Sequence, residues 1–281
     1  MMARTVLAGV ALLIAAGAAQ AQTLERIARE GVLTIGHRDT AIPFSYLDAT
    51  TGEPTGYSVA LCRAMAPEIA RAAGVETLEI ALVEVSAADR FDAVADGRVD
   101  LLCGAATRTL SRRARVDFSI PTFVDGAGIA LPRDGARSMA ELEGGTIAVT
   151  GGTTTEEALT NMLARTGMDA TVLTVADHDA GLAALQAGEA AAYFADRAIL
   201  SFLVRARGAE DVVVADDQFT LETHALALAR SDADFRQAVD EGLSRLYLTG
   251  EVEALFEQAF GPEAEMTDLL RALYRVSALP R

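Results

Sequence analysis

A threonine and a group of arginines follow a predicted buried strand in the stretch VDLLCGAATRTLSRRARVDFSIPTFV (99–124). The apolar start of this stretch predicts a strand, and the small residues before Thr107 predict a turn. A short predicted helix carrying Arg108, Arg112 and Arg113 comes next. Backbone N–H groups and guanidinium groups at such a junction converge on one carboxylate or phosphate. The sequence therefore predicts an anion site where the strand ends.

Charged and hydroxyl residues follow other predicted strands as well. Asp196 comes after the apolar run AAYFA, and open α/β sheets bind ligands at the carboxyl ends of their strands. The run GGTTTEE (151–157) predicts a tight turn and a helix start, with a hydroxyl cap and acids in the first turn. Arg38 follows the strand VLTIG, where a solvated arginine is the alternative interpretation.

Short apolar runs alternate with segments of helical periodicity along the chain, and the connections between them are short. Such alternation is typical of an α/β fold with mostly parallel sheets and helices on both faces. We expect two lobes: residues 22–125 and 221–281 form the first, and residues 126–220 form a second lobe inserted between them. The chain then crosses between the lobes near 124–128 and 217–223, which predicts a two-segment hinge.

The first 21 residues are typical of a signal peptide. Arg4 supplies the positive charge, an apolar run follows it, and Ala19-Gln20-Ala21 is a small-residue cleavage site before Gln22. An uncleaved membrane anchor is the alternative, but the apolar run of about 14 residues is shorter than the roughly 20 that span a bilayer. We therefore expect an exported, soluble, periplasmic protein.

The charge balance of the chain argues against polyanionic partners. The chain has 40 acidic and 24 basic residues, with a formal net charge of −16, and every basic residue is arginine. A chain this acidic is a poor partner for nucleic acid or for an anionic membrane surface. Any positive site must use the planar, bidentate guanidinium group.

Two cysteines, Cys62 on a predicted helix and Cys103 in a predicted strand, are the only ones in the chain. In an oxidising compartment they could form a disulfide. Two separately buried thiols acting as small apolar residues are the alternative. The chain has no CxxC motif and only three widely spaced histidines, so no metal site is expected.

The order and spacing of several segments carry a resemblance to a known family. These segments are VLTIGHRDTAIPFSYLD, ADRFDAVADGRVDLLCGAAT, RRARVDFSIPTFV, AVTGGTTTEE, ADHDAGLAALQAGEAAAYFADRAIL and GEVEALFEQAFG. Over residues 23–279 the chain resembles the periplasmic amino-acid-binding proteins, the type II (family 3) solute-binding proteins of ABC importers, and most of all their glutamate/aspartate-binding branch. The resemblance implies the two-lobed periplasmic-binding-protein fold, a monomer without a cofactor, an amino acid ligand and an inner-membrane ABC permease as partner.

The resemblance also implies roles for the residues around the predicted anion site. Arg112 stands where the family binds the ligand α-carboxylate, with Thr107 beside it. Thr153 and Thr154 stand at the helix start that binds the same carboxylate in the family, which agrees with the dipole and free N–H groups of a helix N-terminus. Asp196 matches the acid that pairs with the ligand ammonium.

Further matches concern the side-chain carboxylate of an acidic ligand. Arg38, Arg90 and His178 stand where the acidic-ligand branch reads that carboxylate. The branch carries hydroxyl residues at the positions of Ala87 and Ala105. Each missing hydroxyl removes a hydrogen bond worth about 0.5–1.5 kcal/mol. The methyl groups also leave more room in the pocket, so a larger acidic ligand or an amide is an alternative. Ser86, next to Ala87, is a candidate replacement.

Other residues have plainer interpretations. Phe44 or Tyr46 could cover the aliphatic part of a ligand, although such a pair is more often part of a core. His37 and His224 have only a structural interpretation. Arg90 and His178 also have solvated alternatives, as a helix-start arginine beside acids and as part of an Asp-His-Asp helix cap.

The leading hypothesis is a binding protein that captures glutamate or aspartate by hinge closure, and not an enzyme. An enzyme on the same scaffold, such as a periplasmic dehydratase of a prephenate-like acid, is an alternative. It needs a general acid, for which Glu84, Glu222 and His178 are the candidates. A ligand sensor for a membrane receptor is the other alternative, and its pocket has the same pattern of residues.

Overall fold

The computed structural model describes residues 23–280, so the predicted signal peptide at 1–21 lies outside the described residues. This part of the chain forms ten α-helices, fifteen strands and one short 3₁₀ helix (Met139–Leu142). The helices are α1 (Thr23–Glu30), α2 (Tyr57–Ala73), α3 (Arg90–Ala95), α4 (Leu110–Arg113), α5 (Thr154–Thr166), α6 (His178–Gln186), α7 (Arg197–Ala206), α8 (Ala233–Thr249), α9 (Glu251–Phe260) and α10 (Asp268–Ser277). The strands are β1 (Val32–His37), β2 (Thr40–Ala41), β3 (Ser45–Leu47), β4 (Pro54–Thr55), β5 (Glu79–Glu84), β6 (Leu101–Leu102), β7 (Val116–Phe118), β8 (Phe123–Asp125), β9 (Ala127–Pro132), β10 (Thr146–Thr150), β11 (Thr171–Val175), β12 (Ala192–Asp196), β13 (Val212–Val214), β14 (Glu222–His224) and β15 (Ala227–Ala229).

The first sheet has the strand order β5-β1-β6-β15-β7. Strands β5, β1 and β6 run parallel, whereas β15 runs antiparallel to both β6 and β7. The apolar face of α2 shows why this helix packs here: Val59, Cys62, Met65 and Ile69 recur at helical spacing and are all buried. The helix ends at Gly74, whose left-handed backbone (φ +72°) closes the last turn.

The second sheet has the order β11-β10-β12-β9-β13, with β9 antiparallel to β12 and β13. In each sheet one strand, β15 or β9, therefore runs opposite to the other four. The expectation of mostly parallel sheets is confirmed, with this one antiparallel strand in each. The antiparallel direction of β9 and β15 has the same origin in both sheets. Strands β9 and β15 both begin just after the chain has crossed from the other sheet, and they enter their sheets from the opposite end.

The chain crosses between the sheets at two adjacent places. Strand β8 leads into β9, and β14 leads back toward β15. Strands β8 and β14 pair antiparallel to each other, with His224 opposite Phe123 and Glu222 opposite Asp125. The predicted crossings near 124–128 and 217–223 coincide with this two-stranded ladder, and the lobe boundaries drawn from them stay a prediction.

Several elements differ from the sequence expectation. The segment AADRFDAVAD (87–96) predicts a helix over its whole length. The helix instead begins at Arg90, because the Asp89 side chain accepts hydrogen bonds from the backbone N and Oγ of Ser86 and holds a turn there. Helix α10 was not predicted. Its Tyr274 hydroxyl donates to the Thr122 carbonyl beside β8 at 3.1 Å, and this contact ties the C-terminal helix to the crossing.

Cys62 and Cys103 form a disulfide, with their Cα atoms 6.4 Å apart. The alternative of two separate buried thiols is therefore wrong. The bond joins α2 to the residue that follows β6, and Ser58 Oγ, also on α2, donates to the Gly104 carbonyl at 3.1 Å. Both contacts hold the loop that leads from β6 to Thr107. Within residues 23–280 no helix is long and apolar enough to cross a membrane.

Candidate functional site

A narrow cavity lies between the two sheets, and all eight predicted site residues line it. They are Arg38, Arg90, Thr107, Arg112, Thr153, Thr154, His178 and Asp196. The first four come from the first sheet and its connections, and the other four come from the second. The remaining lining residues are Ala41, Ala105, Thr155 and Ile199. The strand ends and helix starts of both sheets therefore meet at one place.

Arg112 is held at this cavity by its own short helix. The Thr109 hydroxyl accepts from the Arg112 backbone N and begins α4. The guanidinium then donates from Nη1 to the Thr107 carbonyl at 2.9 Å and from Nη2 to the Gly152 carbonyl at 3.4 Å. Arg108 and Arg113 instead line a separate surface pocket. Of the three arginines near the predicted anion site, only Arg112, the one assigned to the ligand carboxylate, therefore reaches the cavity.

Arg90 lies at the cavity with little hydrogen bonding of its own. It is 3% exposed and donates from Nη2 to the Gly152 carbonyl at 3.1 Å. Its Nε and Nη1 atoms have no hydrogen-bond partner within residues 23–280. Burial, together with the charges of Arg112 and Arg38, lowers the pKa of Arg90 well below its ordinary value. Two buried donor nitrogens of this cavity-lining residue therefore have no partner among the described residues.

Arg38 follows β1 and is 6% exposed, so the solvated interpretation of this residue is wrong. Its backbone N donates to Ser45 Oγ at 2.8 Å, and the hydroxyl donates back to the Arg38 carbonyl at 3.2 Å. Burial lowers the pKa of Arg38, against the attraction of Asp177 and other acidic groups. Two buried guanidinium groups and the partly buried one of Arg112 thus line one cavity, and they make it strongly attractive to anions.

The N-terminus of α5 faces the arginines. Thr153 caps this helix by accepting from the Glu156 backbone N at 3.1 Å, and it donates its proton to the Thr150 carbonyl at 2.6 Å. The Thr154 hydroxyl lies 3.1 Å from the Thr107 hydroxyl across the cavity. A helix of this length places partial positive charge and free N–H groups at its first turn.

His178 is the first residue of α6 and is neutral. Its Nδ1 lies 2.7 Å from the Tyr193 hydroxyl, which lies 2.9 Å from the Thr150 hydroxyl. Burial and the charge of Arg38 lower the pKa of His178 to about 3. The imidazole is therefore a neutral hydrogen-bonding group at physiological pH, and the alternative of a solvated ring is wrong, because His178 is buried.

Asp196 ends β12 and precedes α7, and it is the carboxylate of the cavity. Burial alone raises its pKa, but His224, His178 and Arg112 outweigh burial and hold the pKa below its ordinary value. Its Oδ2 lies 3.4 Å from His224 Nε2. The interpretation of His224 as a structural histidine with no link to the site is therefore incomplete.

Some site features were not predicted from the sequence. The Phe91 ring lies under two guanidinium groups, 4.6 Å from Arg90 Cζ and 4.7 Å from Arg112 Cζ, an arrangement that favours both cations. An aromatic residue directly after Arg90 was the available signal. No sequence signal pointed to Tyr193, which orients His178, because its apolar neighbours mark it only as part of a strand.

The contacts of Phe44 and Ser86 show that neither side chain is available to the cavity. Phe44 packs edge-on against Phe123 and His224 inside the first core, and neither it nor Tyr46 is among the described lining residues. The Ser86 hydroxyl is used by Asp89 at 2.7 Å. It therefore does not replace the hydroxyl that the resemblance expects at Ala87.

Comparison with known proteins finds a matching family and related chains. Residues 33–262 match the family described as bacterial extracellular solute-binding proteins, family 3. The chain is 30% identical over 240 residues to the L-glutamate/L-aspartate-binding protein of Pseudomonas aeruginosa, covering 85% of this chain and 80% of that protein. It is 26% identical over 284 residues to the glutamate/aspartate import solute-binding protein of Escherichia coli, covering 94% of each.

Solved structures share the architecture. The solute receptor for L-cysteine of Neisseria gonorrhoeae superposes with a TM-score of 0.76 at 25% identity, covering 87% of this chain and 97% of that one. An ancestral amino-acid-binding protein, described as a precursor of cyclohexadienyl dehydratase, superposes with a TM-score of 0.74 at 26% identity, covering 85% and 100%. The predicted two-lobed α/β fold is therefore confirmed.

Proposed function

Because the chain belongs to the bacterial extracellular solute-binding proteins, family 3, we propose that it captures an acidic L-amino acid, glutamate or aspartate, between its two sheets. One observation carries this proposal: the buried guanidinium groups of Arg38 and Arg90, the partly buried guanidinium group of Arg112 and the partly buried Asp196 carboxylate line the same cavity. An amino dicarboxylic acid at neutral pH carries two carboxylates and one ammonium, and this cavity supplies partners of opposite charge for all three. The names of the relatives from Pseudomonas aeruginosa and Escherichia coli support the same ligand class.

The α-carboxylate pairs with Arg112. The guanidinium is already oriented by the carbonyl groups of Thr107 and Gly152, so little side-chain freedom is lost on binding. The hydroxyl groups of Thr107 and Thr154 and the N-terminus of α5 add hydrogen-bond donors beside it. The Thr153 hydroxyl is used by the helix cap, so this residue contributes through its backbone N–H group.

The side-chain carboxylate pairs with Arg38 and Arg90. The two unpaired donors of Arg90 gain an acceptor when a carboxylate enters, which relieves the cost of keeping them buried. His178 remains neutral next to them and contributes a hydrogen bond without adding charge. Asp196 pairs with the ammonium group on the opposite side of the cavity.

Capture by closure follows from the origin of these contacts. The ligand is bound by residues of both sheets, and only two adjacent strands, β8 and β14, connect the sheets. A ligand that contacts both sides favours the arrangement in which they approach each other. Delivery to an ABC permease in the inner membrane, and action as a monomer in the periplasm, complete the proposal.

The enzyme alternative has one observation in its favour, the likeness to a precursor of cyclohexadienyl dehydratase. Of its three candidate acids, only His178 is among the described lining residues. Its pKa of about 3 makes it a poor proton carrier at neutral pH. A binding protein is therefore the better conclusion.

Calorimetric titration of the exported chain with a panel of amino acids tests the proposal. We expect binding of L-glutamate or L-aspartate. In thermal unfolding, a ligand concentration of 100 Kd should raise the free energy of unfolding by about 2.7 kcal/mol. Asp196→Asn should abolish most of the binding. Asp211→Asn is the matched control, since Asp211 is an exposed acid that accepts from Gln186 at 3.1 Å. Binding of only neutral amino acids, or of none, would contradict the proposal.

A further inference from the structure

Two titratable residues lie behind Asp196, on the two strands that connect the sheets. Asp125 is the last residue of β8 and His224 is the last residue of β14. Asp125 is 9% exposed and His224 is 1% exposed. Neither residue lines the cavity described above, and neither was assigned a role by the sequence.

Asp125 replaces Asp196 as the cap of α7. Asp196 occupies the N-cap position of this ten-residue helix but makes no capping hydrogen bond with its side chain to any described residue. The Ala198 backbone N donates instead to Asp125 Oδ2 at 3.1 Å. The first turn of α7 is thereby satisfied from the crossing strand, and the Asp196 carboxylate is left available to the cavity.

His224 contacts the same carboxylate from the other crossing strand. Its Nε2 lies 3.4 Å from Asp196 Oδ2, and neither ring nitrogen has a well-formed hydrogen bond within residues 23–280. The contact is therefore one of charge. The ring packs against Phe44 and Phe123, at centroid distances of 5.2 Å and 6.1 Å, and these rings exclude water from it.

The three side chains act on one another electrostatically. Burial and the charge of Asp196 raise the pKa of Asp125 to about 7. Burial lowers the pKa of His224, but Asp196, Asp125 and Glu222 outweigh it and the net direction is upward. The other charged or titratable groups that act on Asp196 are Arg112 from α4 and His178 from α6.

We propose that Asp125 and His224 are positioning residues of the ammonium subsite, and that they hold a proton which leaves for solvent when a ligand ammonium binds at Asp196. This inference rests on the function proposed above. An arriving ammonium places a positive charge beside Asp196, which favours the ionised form of Asp125 and the neutral form of His224. Both changes release a proton, so the two residues act in the same direction.

Affinity then depends on pH in a defined direction. Below pH 7 the Asp125–His224 pair is more fully protonated, and the ammonium must displace that proton. The affinity for L-glutamate therefore falls as the pH falls from 8 to 6, by at most about tenfold per pH unit for one linked proton. His178 does not change charge in this range, because its pKa is about 3.

Proton release can be measured directly by titrating L-glutamate into the protein at pH 7, in buffers with small and large ionisation enthalpies. We expect release of about half a proton, since a group with a pKa near 7 is half protonated there. Asp125→Asn keeps an oxygen for the Ala198 N–H group and should reduce the release toward zero. Asp240→Asn is the matched control: Asp240 also accepts from a backbone N–H group, that of Ile120 at 2.8 Å, and burial raises its pKa to about 6.

A second measurement needs no ligand. The chain has three histidines, and nuclear magnetic resonance titration gives the pKa of His224 once its signal is assigned with His224→Gln. Asp125→Asn should lower the pKa of His224, while Asp240→Asn should leave it unchanged. If the pKa of His224 is the same in all three proteins, the inference is overturned.

The two measurements separate the possible failures. If the titration detects binding of no amino acid, the proposed function is wrong. The pKa of His224 in the Asp125→Asn variant then still decides whether Asp125 and His224 interact. If L-glutamate binds without proton release in the unmodified protein, or if Asp125→Asn releases as much as the unmodified protein, the positioning role is overturned and the proposed function stands.

Discussion

The Thr107 hydroxyl lies 3.1 Å from the Thr154 hydroxyl, and this pair joins the loop after β6 to the first turn of α5. The Gly152 carbonyl, next to that turn, accepts from Arg90 at 3.1 Å and from Arg112 at 3.4 Å. The two sheets therefore meet through the same groups that we assign to the ligand carboxylates. The residues that we propose bind the ligand are thus among those through which the two sheets contact each other.

Arg112→Ala should weaken the binding of L-glutamate by at least about thirtyfold, because a charge-assisted hydrogen-bond pair is worth about 2 kcal/mol or more. Arg113→Ala is the matched control. Arg113 is the next residue of the same helix, half exposed, and its guanidinium lies 3.6 Å from the Asp117 carboxylate. Calorimetry on both variants tests the assignment, and equal affinities would contradict it.

Much of this site could be predicted from local sequence patterns. A strand followed by small residues and a helix start places Thr107 and Arg112, and the run GGTTTEE places the N-terminus of α5. Such signals work because the geometry of a strand end and a helix cap is fixed by neighbouring residues. The resemblance to a family added Arg38, Arg90 and His178, whose local surroundings admitted solvated interpretations.

The features of the site that the sequence did not predict depend on contacts between distant parts of the chain. Asp125 caps α7 across 73 positions of sequence, and His224 reaches Asp196 from a strand that was not predicted. The hydroxyl expected near Ala87 is lost because Asp89 already uses Ser86. No periodicity or composition reports such pairings, since each depends on which residues the sheets bring together.

Arg90→Met should stabilise the protein in the absence of an amino acid while weakening its response to L-glutamate. Two buried donors of Arg90 are unpaired, and leaving such groups buried costs about 1–3 kcal/mol. For a chain of this size each kcal/mol raises Tm by about 2–4 °C. Thermal unfolding with and without L-glutamate measures both effects. Arg98→Met, which removes an exposed arginine paired with Asp89 at 2.7 Å, should not raise Tm.

Ala105→Ser should tighten the binding of L-glutamate by about two- to tenfold, because a hydroxyl at this cavity wall adds a hydrogen bond worth about 0.5–1.5 kcal/mol. Ala105 lines the cavity, whereas Ala87 is not among the described lining residues. Ala87→Ser is therefore the comparison variant, and we expect a smaller gain from it. A larger gain at Ala87, measured by the same titration, would show that the ligand lies closer to α3.

Loss of the disulfide should lower the free energy of unfolding by about 4 kcal/mol, because Cys62 and Cys103 are 41 positions apart and a loop of that length restricts the unfolded chain by about this amount. Urea unfolding of Cys62→Ala/Cys103→Ala measures the effect. The control is a reducing agent, which should destabilise the unmodified protein and leave the double variant unchanged. Equal unfolding midpoints for the two oxidised proteins would contradict the expectation.

His178 and Asp125 should change the pH dependence of stability in opposite directions. The folded pKa of His178 is about 3, below its value of about 6.5 in an unfolded chain. The folded state therefore binds fewer protons, and the stability that His178 contributes is present above pH 6.5 and is lost as the pH falls toward 3, by at most about 1.4 kcal/mol per pH unit. His178→Gln should flatten this acid destabilisation.

The folded pKa of Asp125 is about 7, above its value of about 3.9 in an unfolded chain. Here the folded state binds more protons, so the contribution of Asp125 is fully present below about pH 4 and is lost as the pH rises toward 7. Urea unfolding of the ligand-free proteins between pH 4.5 and 7.5 separates the contributions of His178 and Asp125 to the free energy of unfolding. Relative to the unmodified protein, Asp125→Asn should gain stability as the pH rises through this window, whereas His178→Gln should gain it as the pH falls. Parallel curves for the two variants would contradict both assignments, because the two side chains differ in which protonation state burial favours.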